Sequence, residues 1–156
     1  MKVKVALQNL RTGDWSWFEF PTNLEMVKQK LNARSGDELI VVDSELIGIP
    51  EYTSLREIQQ FAEKMEEFPR QYLECLEQWV SFYGGIQGFS REFELDDWTI
   101  VETSSDEDFG SIMFYDFQAI KIPTELENYF DFEAYGRDCC LNSNNFFATD
   151  NYYVFQ

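Results

Sequence analysis

Carboxylates are the chemically active groups that this sequence offers in quantity. The 156 residues contain 29 Asp and Glu against 12 Lys and Arg, and no histidine, which gives a net charge of −17. Carboxylates can act as acid–base pairs, as metal ligands or as an anionic surface for a basic partner. The lack of histidine removes the commonest general base, the Ser-His and Cys-His nucleophile pairs and most zinc sites.

The acids are concentrated in the second half of the chain. Residues 1–70 carry a net charge of −3, and residues 71–156 carry −14. Between Glu92 and Asp138, 14 acids stand against two bases, a net charge of −12 over 47 residues. Such crowding destabilises a compact fold by self-repulsion. An acidic surface attracts basic proteins and repels nucleic acid and anionic membranes, so we expect neither of the latter two as a partner.

The sequence has candidate residues for a catalytic, a metal and a phosphate site. An acid–base pair of the glycosidase type stays open on number alone, but nothing in the spacing marks out one pair. The segment "GGIQGF" at 84–89 lacks the spacing of both glycine-rich phosphate loops. The segment "DEDFGS" at 106–111 fails as an EF-hand, because Asp106 at position 1 puts Gly110 at 5 and Phe117 at 12. We therefore expect no enzyme, no metal and no cofactor, and interpret this segment as a solvated acidic loop.

The three cysteines are expected to be reduced thiols, and Cys139 and Cys140 are interpreted as packing residues at the end of a helix. Cys75, Cys139 and Cys140 form no Cys-x-x-Cys pair, and adjacent cysteines rarely bridge each other, so reduced thiols in the cytoplasm are expected. No apolar run approaches the length of a membrane span.

Local patterns predict an α+β protein that begins with a β-β-α-β unit over 1–50. Apolar and polar residues alternate on both sides of a Gly13-Asp14 turn, which is typical of a hairpin. Asn23 or Thr22 can cap a helix with apolar residues at spacings of three and four. The short apolar segment "ELIVVDSEL" predicts a third strand.

A helical hairpin is predicted for 51–90. Ser54 and Glu57 form a capping box before an amphipathic helix that ends near Pro69. A second amphipathic helix covers about 69–82 and is terminated by a pair of glycines.

The acidic C-terminal subdomain is predicted to cover 91–156. It starts with a strand around Trp98–Glu102, followed by the acidic loop and by a helix or strand over Ile112–Phe117. Thr124 and Glu127 predict a second capping box. The helix that follows should break near Asp131 and resume through Cys140, before two strands around Asp150-Asn151.

The acidic surface indicates mimicry of a polynucleotide. Duplex DNA presents one negative charge per about 1.7 Å of axis, and proteins hold it with arrays of Lys and Arg. A fold with carboxylates at comparable separations could occupy the same groove and would resist the enzyme's chemistry. The candidate phosphate mimics are Glu92, Glu94, Asp96, Asp97, Glu102, Asp106, Glu107, Asp108, Glu125, Glu127, Asp131 and Glu133. An interaction module for a basic protein, without mimicry, is the alternative.

One stretch resembles a known family. "LENYFDFEAYGRDCCL" is similar to the C-terminal signature of the ArdA antirestriction family, and so, more loosely, are "GDWSWFEFP" and "ELIVVDSELIGIPEYTSLREI" nearer the N-terminus. The family strand often reads His-Asp-Tyr-Glu where this chain has Val42-Asp43-Ser44-Glu45. The signature positions matched are Tyr129, Asp131, Ala134, Tyr135, Gly136, Arg137 and Asp138.

The resemblance implies an elongated protein of three small subdomains that forms a homodimer. Members mimic bent B-form DNA and block the DNA-binding groove of type I restriction–modification enzymes. The signature lies at or near the dimer interface, which implies interface roles for Tyr129, Phe132, Tyr135, Gly136, Arg137 and Asp138. Arg137 is expected to pair with an acid within or between subunits. Another nucleic-acid enzyme, such as a CRISPR effector, stays open as the target.

Overall fold

The computed structural model describes all 156 residues and divides them into two compact units. The N-terminal unit is Met1–Phe93 and the C-terminal unit is Glu94–Gln156. Each unit combines helices with one three-stranded antiparallel sheet, so the predicted α+β class is confirmed. The finer division into 1–50, 51–90 and 91–156 stays a prediction.

The N-terminal sheet forms as its alternating pattern predicts. Strands β1 (Val3–Asn9), β2 (Trp15–Phe20) and β3 (Leu39–Ser44) pair in the order β2-β1-β3. Helix α1 (Leu24–Lys30) begins after Asn23, whose side chain accepts hydrogen bonds from the first-turn N–H groups. The predicted β-β-α-β order of 1–50 is confirmed.

Three α-helices complete the N-terminal unit. Helix α2 (Leu55–Glu67) starts with the predicted Ser54–Glu57 capping box. The helix expected over 69–82 is a 3-10 segment, Arg70–Cys75, followed by α3 (Leu76–Phe82). The continuous helix was wrong because Tyr72 leaves helical dihedral angles, with φ −101° and ψ 16°.

Helix α4 (Ile86–Glu92) was not predicted at all. Its sequence contains Gly88, a weak helix former. The structure shows why glycine is needed there: a Cβ on Gly88 would lie 1.9 Å from the carbonyl oxygen of Tyr83. Close backbone packing thus overrides the local propensity.

Aromatic rings form the core between these helices. Phe89 is fully buried, stacks on Phe93 at 4.6 Å and meets Phe61 edge-on at 5.9 Å. Trp79, also fully buried, lies 5.0 Å from Phe93. Offset and edge-on ring pairs stabilise a core beyond the area they bury.

A polar cluster around the buried Asn9 joins the two turns at one end of the N-terminal sheet. Asp37 accepts hydrogen bonds from Arg11 Nε at 2.7 Å, the Arg34 N–H at 2.8 Å and Asn9 Nδ2 at 3.1 Å. Asn9 is fully buried and also donates to the Leu31 carbonyl. The hydrogen bonds from Arg11 and Arg34 hold the pKa of Asp37 well below its ordinary value.

The C-terminal unit surrounds its own small sheet. Strands β4 (Thr99–Glu102), β5 (Phe147–Ala148) and β6 (Tyr152–Phe155) pair in the order β4-β6-β5, as the strand predictions at both ends of this unit require. Helices α5 (Asp106–Tyr115) and α6 (Phe132–Asn142) flank a 3-10 segment, Thr124–Tyr129. No helix in the protein has the length and apolar character needed to cross a membrane.

The core of this unit includes two residues that were expected to pack. Val101, Phe109 and Tyr153 are buried together, and both Cys139 and Cys140 pack against them, which confirms the packing role of these two cysteines. Burial, followed by the nearby Asp106 charge, raises the pKa of Cys140 to about 11, so its thiol is protonated at neutral pH.

Two local predictions for this unit were wrong. The expected acidic loop is the first turn of α5, capped by Ser105, whose hydroxyl accepts from the Asp108 N–H. Carboxylates suit this position because the helix N-terminus carries partial positive charge. The Thr124–Glu127 capping box does not form, since that segment has no side-chain cap. The predicted break is confirmed, because Asp131 caps α6 by accepting from the Ala134 N–H.

The first prediction concerns the stability contributed by the aromatic core. Phe89→Ala should lower the free energy of unfolding by about 3–5 kcal/mol, because it removes a fully buried ring and leaves a cavity. Phe82→Ala, at a ring that is 47% exposed, is the control and should cost much less. Urea unfolding followed by tryptophan fluorescence measures both; equal losses would contradict the core assignment.

The Asp37 cluster makes the second prediction. The pKa of Asp37 is lower in the folded state, so its stabilisation is present above the unfolded pKa of about 4 and disappears as pH falls through the folded value. Asp37→Asn should therefore destabilise the protein at pH 7 and reduce its loss of stability below pH 4. Glu38→Gln, at an exposed neighbour without a side-chain partner, is the control and should change neither. An unaltered acid profile in Asp37→Asn would contradict this role.

Candidate anionic interaction surface

The charge imbalance coincides with the division into units. The C-terminal unit has 14 acids and two bases, a net charge of −12, whereas the N-terminal unit has 15 acids and ten bases, a net charge of −5. Within the C-terminal unit the only cations are Lys121 and Arg137. Most of its carboxylates therefore have no counter-charge of their own unit.

The candidate phosphate mimics lie at the surface. Eleven of the twelve belong to the C-terminal unit, and Glu92, at the end of α4, belongs to the N-terminal unit. Ten are exposed and two, Asp106 and Glu127, are half-buried. Those on the C-terminal unit lie on β4, at the starts of α5 and α6, and on or directly before the two 3-10 segments Leu95–Asp97 and Thr124–Tyr129.

Seven of the twelve side chains form neither a hydrogen bond nor an ion pair. Glu92, by contrast, pairs with Arg91 at 2.6 Å, and Asp131 is used as the cap of α6. Unpaired surface carboxylates keep their full charge available to a partner and repel one another. The seven are Asp96, Asp97, Glu102, Glu107, Asp108, Glu125 and Glu127.

Asp106 is tied into the unit instead. Tyr153 donates a hydrogen bond to Asp106 Oδ1 at 2.8 Å, and Arg137 Nε lies 3.9 Å from Oδ2. Burial, followed by this carboxylate, raises the pKa of Tyr153 to about 12. Arg137 also donates to Glu133 at 3.0 Å, so its predicted pairing with an acid is confirmed within the chain. These bonds favour a structural role for Asp106.

A close contact between two helices was missed by sequence reasoning. A Cβ on Gly110 of α5 would lie 2.0 Å from the Phe132 carbonyl oxygen, and one on Gly136 of α6 would lie 1.8 Å from that of Asp106. Only glycine fits both positions, because the two backbones touch. Gly136 belongs to the signature, whereas Gly110 gives no sequence signal beyond being a glycine in an acidic segment.

The rings of the signature divide between core and solvent. Phe132 and Tyr135 are half-buried; Phe132 meets Phe114 at 5.5 Å and Tyr135 meets Phe130 at 5.3 Å. Tyr129 is 85% exposed, Leu126 is 53% exposed and Leu141 is 77% exposed. These three side chains are among twelve large apolar side chains that the protein leaves exposed, and Tyr129 is the most exposed of them.

Comparison with known proteins assigns these features to one family. The family model described as "Antirestriction protein (ArdA)" matches residues 13–154, which is nearly the whole chain. The matched range runs from the first hairpin turn to β6 and includes every signature residue named above. Among curated proteins, none matches the chain in sequence.

The uncompensated charge makes the third prediction. Raising NaCl from 20 mM to 500 mM should raise the melting temperature of the protein, because added salt screens repulsion among the carboxylates of the C-terminal unit. Hydrogen exchange at the two salt concentrations shows which unit is stabilised. The added salt should increase the protection of amides in α5 and α6 more than in α2. A lower melting temperature in high salt, or protection gained only in α2, would contradict it.

Proposed function

Because this chain belongs to the ArdA antirestriction family, we propose that it inhibits a type I restriction–modification enzyme by occupying its DNA-binding groove. Antirestriction is the general function that family membership gives. The proposal adds three finer parts to this general function. The protein mimics DNA, it acts stoichiometrically and without catalysis, and it acts in the cytoplasm, where incoming DNA meets the enzyme.

The observation that supports this mode is the set of seven unpaired carboxylates on exposed or half-buried positions. A groove that grips duplex DNA presents Lys and Arg to a dense row of phosphates. The C-terminal unit offers such a groove the same sign of charge, held on helices and a strand rather than on a flexible tail. Binding releases counterions as DNA binding does, and without a phosphodiester bond the inhibitor is not cleaved.

We also propose that the inhibitor is a homodimer. Tyr129, Leu126 and Leu141 are the apolar groups that a second copy would cover, and Tyr129 belongs to the signature. Arg137, which pairs inside the chain, is not required to bridge two subunits. The dimer would extend the length of acidic surface, which suits a groove made for a duplex of many base pairs.

The fourth prediction tests the anionic surface. Changing four of the unpaired acids together to their amides (Asp97→Asn, Glu102→Gln, Glu107→Gln and Glu125→Gln) should weaken inhibition by at least about tenfold, since each removes a charge facing a basic groove. The measurement is inhibition of DNA cleavage by a purified type I enzyme, with displacement of a labelled duplex as a second readout.

A matched control removes the same number of charges from the N-terminal unit. Glu38→Gln, Glu51→Gln, Glu67→Gln and Glu77→Gln alter four exposed acids without side-chain partners. The inhibition by this variant should weaken by less than about threefold, since the C-terminal surface is intact. Equal losses in the two variants would contradict a localised anionic site. Loss of all activity from one amide substitution in a folded protein would instead support a catalytic carboxylate.

A further inference from the structure

Helices α5 and α6 touch through their backbones at one point. Gly110 and Gly136 lie there, and a Cβ on either would be 2.9 Å from the other glycine's amide nitrogen. At one end Arg137 of α6 is near Asp106 of α5, and at the other Phe114 of α5 packs on Phe132 at the start of α6. The helices therefore run in opposite directions at the shortest separation that their backbones allow.

Ion pairs and a hydrogen bond also connect the two helices near this crossing. Arg137 binds Glu133 on its own helix and reaches Asp106 at the start of α5. Tyr153 of β6 donates to that same Asp106, so the sheet is bonded to the helix pair at this point. Asp106 begins the first turn that also carries Glu107 and Asp108, two of the unpaired carboxylates. The crossing thus joins the acidic starts of two helices to one arginine.

We propose that the Gly110–Gly136 contact and Arg137 are positioning elements that set the distance between the carboxylates of α5 and those of α6. In this role Arg137 raises affinity for a basic partner although its own charge is positive. The inference rests on the proposed function, because a fixed spacing matters only to a partner whose cations are themselves fixed.

The physical reason is that α5 and α6 carry like charges at their contact. Asp106, Glu107 and Asp108 start one helix, and Glu133 lies in the first turn of the other. Without Arg137 the repulsion between these carboxylates would be opposed only by uncharged contacts, chiefly the glycine crossing and the packing of Phe114 on Phe132, and the helices would move apart at their charged faces. A partner with cations spaced for a duplex would then meet displaced charges.

The fifth prediction compares two substitutions that make the same change in charge. Arg137→Met and Lys121→Met each remove one cation from the C-terminal unit; Lys121 is exposed and forms no ion pair. Charge counting alone predicts tighter binding to a basic groove for both. Positioning predicts that Lys121→Met inhibits a purified type I enzyme as well as or better than the native chain, whereas Arg137→Met inhibits about fivefold less well.

Salt dependence separates misplaced charges from simple unfolding. Fewer engaged carboxylates should make the plot of log affinity against log salt shallower for Arg137→Met, whereas a partly unfolded fraction would lower affinity without changing the slope. Arg137→Lys, which keeps the charge but not the fork of donors, should recover part of the loss. Equal gains for the Arg137→Met and Lys121→Met variants would overturn the inference.

Crystal structures test the spacing without any partner. Gly136→Ala should move α5 and α6 apart by about 1 Å or more, since real Cβ atoms do not approach a carbonyl oxygen at 1.8 Å. Gly48→Ala meets no atom within 4 Å and is the neutral control; Gly88→Ala makes a clash of similar size in the N-terminal unit. If Gly136→Ala fails to fold, the structure of Arg137→Met supplies the measurement.

The two proposals fail separately. If the native chain does not inhibit a type I enzyme, the proposed function falls, and the helix separation in the variants still decides whether the crossing sets the spacing. If inhibition is found but α5 and α6 keep their separation in Gly136→Ala and in Arg137→Met, the positioning role is wrong. If Gly88→Ala weakens inhibition as much as Gly136→Ala, general destabilisation explains both.

Discussion

Repulsion among carboxylates is the constraint on which the C-terminal unit depends. A net charge of −12 in 63 residues opposes compact packing, and only two cations are present to reduce it. The unit offsets this repulsion with a core of rings and aliphatic side chains, in which Phe109 is fully buried and packs 4.9 Å from Tyr153. The high aromatic content of so acidic a chain follows, because large rings bury the most apolar surface per residue.

The same constraint explains how the acids are placed. Asp106, Glu107 and Asp108 occupy the first turn of α5, and Asp131 with Glu133 starts α6, where the helix N-terminus partly compensates negative charge. Others stand on the end of β4 and on 3-10 segments, at exposed or half-buried positions. Many of the carboxylates thus lie where a negative charge destabilises the fold least, and they remain without a counter-charge.

Elements governed by local chemistry could be predicted from the sequence. The first hairpin follows from alternation and a Gly-Asp turn, and α2 follows from its capping box and apolar stripe. The acidic character of the candidate site followed from composition, and the signature run identified the family before any contact was visible.

Elements governed by contacts distant in sequence could not be predicted. Helix α4 contains Gly88, a weak helix former, and is stabilised by the packing of its buried Phe89 on Phe61 of α2, 28 positions away. The acids at 106–108 were predicted as a loop although a local signal of a helix start is present, since Ser105 and Asp108 have the spacing of a helix cap and acids suit a first helical turn. Gly110 and Gly136 are 26 positions apart, and Asp106 is bonded by Tyr153 from 47 residues away. Which carboxylates are free and which are tied was therefore visible only in the folded chain.

The lack of partners for the surface carboxylates also bears on how a target could evolve resistance. An inhibitor that binds the cations of a DNA-binding groove uses the same groups that the enzyme needs to bind DNA. Under the proposed mimicry, an enzyme that replaces one of these cations to avoid the inhibitor also weakens its own binding to DNA. Contact spread over many equivalent charges leaves no single point at which escape is free of that penalty.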